Sequence, residues 1–135
     1  MSKPKLYFAH PINVYNTELE AELLAVITDM FGETYAILNP NGPEHDAGYK
    51  AKGMKYFLED VVPECEACVL LAFRDGKIGK GVYAEAETLY NAGCEVWEIL
   101  PESLFNLWSP NPDRCLSVEQ TRERIRNPDR SPKPY

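Results

Sequence analysis

Residues 74–87 read R-D-G-K-I-G-K-G-V-Y-A-E-A-E, three cations and three glycines followed by two glutamates. Glycines ahead of a helix leave backbone N–H groups free for an anion. Arg74, Lys77 and Lys80, with Gly79 and Gly81, are therefore candidate phosphate contacts. The spacing fits neither G-x-x-x-x-G-K-[ST] nor G-x-G-x-x-G, so a solvated turn with charged ends accounts for the same residues. Glu85 and Glu87 would stand about 200° apart around a helix, so only one of them can look into a site. A carboxylate at a helix start also suits the helix dipole with no further role.

Those residues need a scaffold, and the apolar pattern supplies one. Residues 6–9 form a short buried first strand. A helix capped by Asn16 or Thr17 carries Leu19, Leu23, Ile27 and Met30 on one face and closes at Gly32. Residues 35–38 read as a second strand, and 39–52, rich in Gly, Pro and Asn, as a long irregular loop. A helix over 53–62 presents Met54, Phe57, Leu58 and Val61. Residues 68–73 form the third strand, 82–92 a helix with Gly93 as its C-cap, and 95–100 the fourth strand.

Strand and helix alternate, with connections too long for hairpins. That order predicts an α/β protein with a doubly wound, mainly parallel sheet and flanking helices, a flavodoxin/Rossmann-like three-layer sandwich over residues 1–100. Residues 101–135 read as an extension that docks on the core or on a neighbouring subunit through Leu104, Phe105, Leu107 and Trp108. Within it, Ser117 and Gln120 form a capping box that opens a helix to about Arg126, and N-P-D-R-S-P-K-P-Y is expected to be a mobile tail.

In such sheets ligands sit where strands end and helices begin. The topology brings Tyr7, His10, Asn13, His45, the lysine-glycine turn and Glu85 to one rim. His10 can hold a proton or a ligand, or satisfy a structural hydrogen bond. Asn13 can touch a sugar or pin a turn.

The net charge of −7 argues against a nucleic-acid polymer as partner, while leaving room for one small phosphorylated ligand. No apolar run approaches membrane-spanning length. M-S-K-P-K runs straight into L-Y-F-A without an apolar signal core, so a cytoplasmic protein is expected. Cys65 and Cys68 form a C-E-A-C spacing, but Cys94 and Cys115 do not form a second close pair. Reduced structural thiols are the expectation, with no metal and no cofactor.

L-Y-F-A at the first strand, Y-F-L-E-D before the third, and G-V-Y-A-E-A-E-T-L-Y-N-A-G together resemble the nucleoside 2-deoxyribosyltransferase-like family over residues 5–100. That family includes deoxyribosyltransferases and nucleoside 5′-monophosphate N-glycosidases. The resemblance implies that Glu85 is the carboxylate attacking the anomeric carbon, and that Tyr7 holds it through its hydroxyl. It implies that Asp60 contacts the base or assists its departure. It also implies a nucleoside or nucleotide substrate and a homodimer or larger homo-oligomer. The chemistry suits these groups, since a fixed carboxylate can trap the positive charge that builds on the sugar. Two carboxyl groups flanking a sugar is the arrangement of glycoside hydrolysis.

Six residues before the catalytic glutamate, family transferases carry an aspartate and phosphate-using members a serine; here stands Gly79. The family's monophosphate hydrolases place arginine and glycine after the first strand, where this chain has H-P-I-N-V-Y-N. The missing aspartate and the basic turn favour hydrolysis of a nucleotide over deoxyribosyl transfer. A non-catalytic nucleotide or sugar-phosphate sensor on the same fold is the alternative.

Overall fold

A computed structural model describes residues 3–53 and 55–135. At its centre lies a five-stranded mixed sheet in the order β2-β1-β3-β4-β5. The strands are β1 (Lys5–Ala9), β2 (Ala36–Leu38), β3 (Cys65–Leu70), β4 (Glu95–Ile99) and β5 (Phe105–Leu107). The first four run parallel, and β5 pairs antiparallel with β4.

Alternation along the strands divides the core in two. Leu6, Phe8, Ala67, Val69, Leu71 and Ile99 face one side, where α1 (Glu18–Phe31) buries Leu23 and Ile27 against them. Tyr7, Ala9, Cys68, Leu70 and Val96 face the other, beneath Val82, Tyr83, Ala86 and Leu89 of α3 (Lys80–Asn91). Fully burying a side chain such as Leu23 or Ile27 contributes about 1.5–3 kcal/mol, enough to fix which stripe of each helix faces the sheet. Helices thus cover both faces of an α/β sheet. The strand order reverses between β1 and β3, where connections leave toward opposite edges of the sheet.

Several boundaries differ from the sequence reading. Thr17, not Asn16, caps α1 by accepting from the Glu20 N–H, and Asn16 takes a left-handed φ of 63°. Met30, expected on the buried face, is 62% exposed because Leu23 and Ile27 already fill the contact. The loop expected over 39–52 folds in its second half: a 3-10 turn at Pro43–His45 leads into α2 (Asp46–Lys52). Pro43 starts that turn, and Asp46 with Lys50 and Lys52 complements the dipole of α2. Gly48 is tolerated within α2 because the Tyr56 ring occupies the space a Cβ would need.

The helix expected over 53–62 is α-helical at Lys55 and Tyr56 and then widens into a π-helical turn, Phe57–Val61. Met54, assigned to that face, lies outside the described residues. Strand β3 begins three residues early and ends at Leu70, so C-E-A-C lies inside it. A register shift opposite Lys5 and Leu6 sets Cys65 and Cys68 on the same face, where i and i+3 would ordinarily oppose. Both thiols are buried and unpaired; burial raises Cys65 to about 11 and lifts Cys68 well above the usual range.

The segment after Leu100 is built into the same body. β5 extends the sheet, Trp108 and Leu116 are buried, and the capping box of Ser117 and Gln120 opens α4 (Val118–Ile125). The expected mobile tail instead returns as a tight hairpin with an Arg126–Pro132 bridge, and Tyr135 donates to the Ala72 carbonyl at 2.5 Å. No described helix is long and apolar enough to cross a membrane.

Candidate active site

Tyr7 and Glu85 meet in the layer between β1 and α3. The Tyr7 hydroxyl donates to Glu85 Oε2 at 2.6 Å, and both side chains are buried. Placement follows from local sequence. Tyr7 falls on the α3 side of β1 by strand alternation, and Ala84 and Ala86 beside Glu85 allow α3 to approach closely. Because α3 starts at Lys80 rather than Val82, Glu85 sits in its second turn, beyond the acidic-first-turn role. Glu87 is half-buried on another side of the helix.

Burial lifts the Glu85 carboxyl to about 7, and the Tyr7 hydrogen bond only partly offsets it. The Tyr7 phenol is in turn pushed far above its ordinary range, by burial first and by the Glu85 charge second. The pair therefore shares one proton on the phenol and leaves a desolvated carboxyl able to exist in either form near neutral pH.

A second phenol escaped the sequence reading. Tyr15, in the loop after β1, lies with its ring centroid 4.8 Å from that of His10. Its pKa is raised by burial and then by the charges of Glu85 and Glu20. Its signal was the aromatic in H-P-I-N-V-Y-N, a residue type a solvated turn does not need. Phe57 of the π-helical turn sits 6.5 Å from Tyr7 and 6.1 Å from the half-exposed Tyr49, a run of aromatic rings that begins at the Tyr7 side of the pair. His45 is buried beside them, with Nδ1 at 2.9 Å from the Tyr56 hydroxyl.

His10 serves the loop rather than solvent. Its Nδ1 lies 2.9 Å from the Phe8 carbonyl and its Nε2 2.8 Å from Glu20 Oε2, and its ring stacks on Phe8 at 4.1 Å. Glu20 also accepts from the Asn16 N–H and from Asn41, tying the loop after β1 to the loop after β2. Although burial opposes it, hydrogen bonds from His10, Asn16 and Asn41 hold the Glu20 carboxyl below its ordinary value. Asn13 donates to the Arg124 and Lys133 carbonyls, at 3.2 and 3.1 Å, so it clamps the C-terminal hairpin.

Asp60 is exposed and accepts from Lys52 at 3.1 and 3.2 Å. Phe57 and Val61 take the inward face of the π-helical turn, which turns Asp60 outward, away from the Tyr7–Glu85 pair.

The basic turn is tied to the C-terminal segment, although its three cations are exposed. Arg74 lies over the Tyr135 ring at 4.5 Å, Lys77 donates to the Asp113 carbonyl, and the Lys80 N–H donates to Thr121. Gly79 faces Thr121, whose methyl would crowd any Cβ there, and Gly81 lies within α3. Arg124 grips Asp75 through two bonds of 2.7 and 2.8 Å, while Arg114 binds Glu98 in the same two-pronged way and the Gly76 carbonyl besides. α4 and the 3-10 turn before it thus pack against the backbone of this turn, while Arg74, Lys77 and Lys80 themselves stay exposed. No protein-family model, no curated protein and no solved structure matches the chain.

Proposed function

We propose that the protein cleaves the N-glycosidic bond of a nucleoside or nucleoside 5′-monophosphate, with Glu85 as nucleophile. The observation that carries this reading is the buried 2.6 Å contact between the Tyr7 hydroxyl and the Glu85 carboxyl. The order of motifs shared with the nucleoside 2-deoxyribosyltransferase-like family supports it. So does a doubly wound, flavodoxin-like reading of the four parallel strands, in which ligands sit beyond the strands' C-terminal ends.

In the reaction, a Glu85 oxygen attacks C1′ as the bond to the base nitrogen breaks. The base leaves with that electron pair and takes a proton from solvent. Water then attacks C1′, releases the sugar and restores the carboxylate; a second base doing the same would make the enzyme a transferase. Tyr7 positions the attacking oxygen and stabilises its charge. Tyr15, Tyr49 and Phe57 supply faces for a planar base. Asp60, paired with Lys52, is left out of the chemistry of its own subunit. A cytoplasmic homo-oligomer remains part of the proposal, with sedimentation at two concentrations as its check.

Incubation with deoxynucleosides and their monophosphates, with and without a second free base, tests the reading. Base release without acceptor marks a hydrolase, and exchange only with acceptor marks a transferase. Either activity should vanish in Glu85→Gln. The second reading, a nucleotide-binding sensor, is favoured by one observation: neither of two surface hollows, one lined from residues 122–133 and the other from 71–76 and 98–102, includes Tyr7 or Glu85. Tight nucleotide binding with no base released under any condition would establish it in place of the enzyme.

A further inference from the structure

The C-terminal hairpin reverses the sign of the chain. Residues 121–133 carry five Lys/Arg against two Asp/Glu, in a protein with 14 Lys/Arg against 21 Asp/Glu. These residues line a hollow of about 920 Å³ bounded by Arg122, Arg126, Arg130 and Lys133, with Ile125, Asn127 and Pro128 among its walls and Glu123 as its one carboxylate. Arg122 and Arg126 stand one helical turn apart. Among the described residues none of Arg122, Arg126 and Arg130 has an acidic partner, whereas Arg114 and Arg124 are both spent on carboxylates.

Cations at a helix C-terminus are ordinarily explained by the dipole. That covers Arg122 and Arg126 on α4, and Lys133, whose ammonium donates to the Glu123 carbonyl at 3.2 Å. It does not cover Arg130. This residue lies beyond α4, in the turn closed by the Arg130 N–H to the Asn127 carbonyl, with a left-handed φ of 70°. Glycine or asparagine would take that conformation without strain. An arginine there keeps a guanidinium at the hollow's edge at a conformational cost.

We propose that this hollow is a binding site for a small phosphate-bearing anion, separate from the Tyr7–Glu85 pair. Planar guanidinium forks match phosphate oxygens two at a time, which an ammonium cannot do. The apolar side of Ile125 and Pro128 accommodates the organic part of a phosphate ester. Surrounding negative charge makes the site selective for a compact ligand, because a long anionic polymer would meet the acidic remainder of the surface.

Titration calorimetry of the full chain with inorganic pyrophosphate, and with orthophosphate, tests this at low ionic strength. Saturable binding is expected to weaken about tenfold for each guanidinium removed in Arg122→Ala and Arg126→Ala. Arg130→Gly should weaken it equally while leaving the melting temperature unchanged or higher, since glycine relieves the turn. Glu85→Gln should bind as the parent does, which separates this site from the proposed catalytic one. Absence of saturation at millimolar pyrophosphate overturns the proposal, as does equal binding by the triple variant. A single-stranded oligonucleotide binding where pyrophosphate fails, or self-association abolished by the triple variant, would reassign the surface and overturn it too.

Discussion

Replacing Glu85 by glutamine should stabilise the protein strongly at pH 8 and by only about 0.9 kcal/mol at pH 5. The glutamate carboxyl moves from an ordinary 4.5 in the unfolded chain to about 7 in the folded one. A folded carboxyl with the higher pKa binds its proton more tightly than the unfolded one. Its contribution to stability is therefore fully present below 4.5 and is lost as pH rises from there through 7. Each pKa unit corresponds to about 1.36 kcal/mol, so the full loss approaches 3.4 kcal/mol, of which about 2.5 kcal/mol falls between pH 5 and pH 8. Glutamine fills the same space, accepts the Tyr7 hydrogen bond and does not ionise. All other groups titrate alike in the two proteins and cancel in the difference. Urea unfolding at the two pH values should show the variant gaining about 2.5 kcal/mol over the parent on going to pH 8, a midpoint shift of roughly 1–2 M. A parent–variant gap that stays within about 0.5 kcal/mol across that range would mean that Glu85 ionises like a solvated carboxylate, and the desolvation argument would fail.

Base-releasing activity should rise with pH along a limb with an apparent pKa of about 7, because the attacking group is the carboxylate; a limb near 4 would exclude Glu85 as nucleophile. Tyr7→Phe removes the donor that lowers this pKa, so the same limb should move to higher pH, and stability at pH 8 should fall by about 1–3 kcal/mol in chemical denaturation. Asp60→Asn should leave turnover and melting temperature unchanged, since the carboxylate faces Lys52 at the surface; a large loss of rate with unchanged folding would restore Asp60 to the chemistry.

The two halves of the site were unequally legible in the sequence. Tyr7 and Glu85 are paired through the resemblance in motif order; from the residues alone Tyr7 reads as a core tyrosine and Glu85 as a helix-start carboxylate. Asp60 could not be placed, because inserting a π-helical turn changes the phase that an α-helical reading assumes, and the inward face went to Phe57 and Val61. The contacts of the basic turn were hidden for a different reason. Composition alone identifies Arg74, Lys77 and Lys80 as cations, but their partners Tyr135, Asp113 and Thr121 lie some 36–61 residues away. The final residues read as a mobile polar tail because their anchors, Asn13 and Ala72, belong to remote loops. Alternation of strand and helix revealed an α/β architecture but not the antiparallel β5, whose three residues are too few for a periodic signal.

Asn13 acts as a yoke. One amide holds a carbonyl at the end of α4 and another in the returning arm of the C-terminal hairpin, while its own loop carries His10 and Tyr15. Motion in either part is therefore transmitted to the other without any large rearrangement. Cutting the yoke with Asn13→Ala should speed amide hydrogen exchange in residues 124–135 and 10–16 together, whereas loosening confined to the hairpin would show that the two ends of the chain move independently.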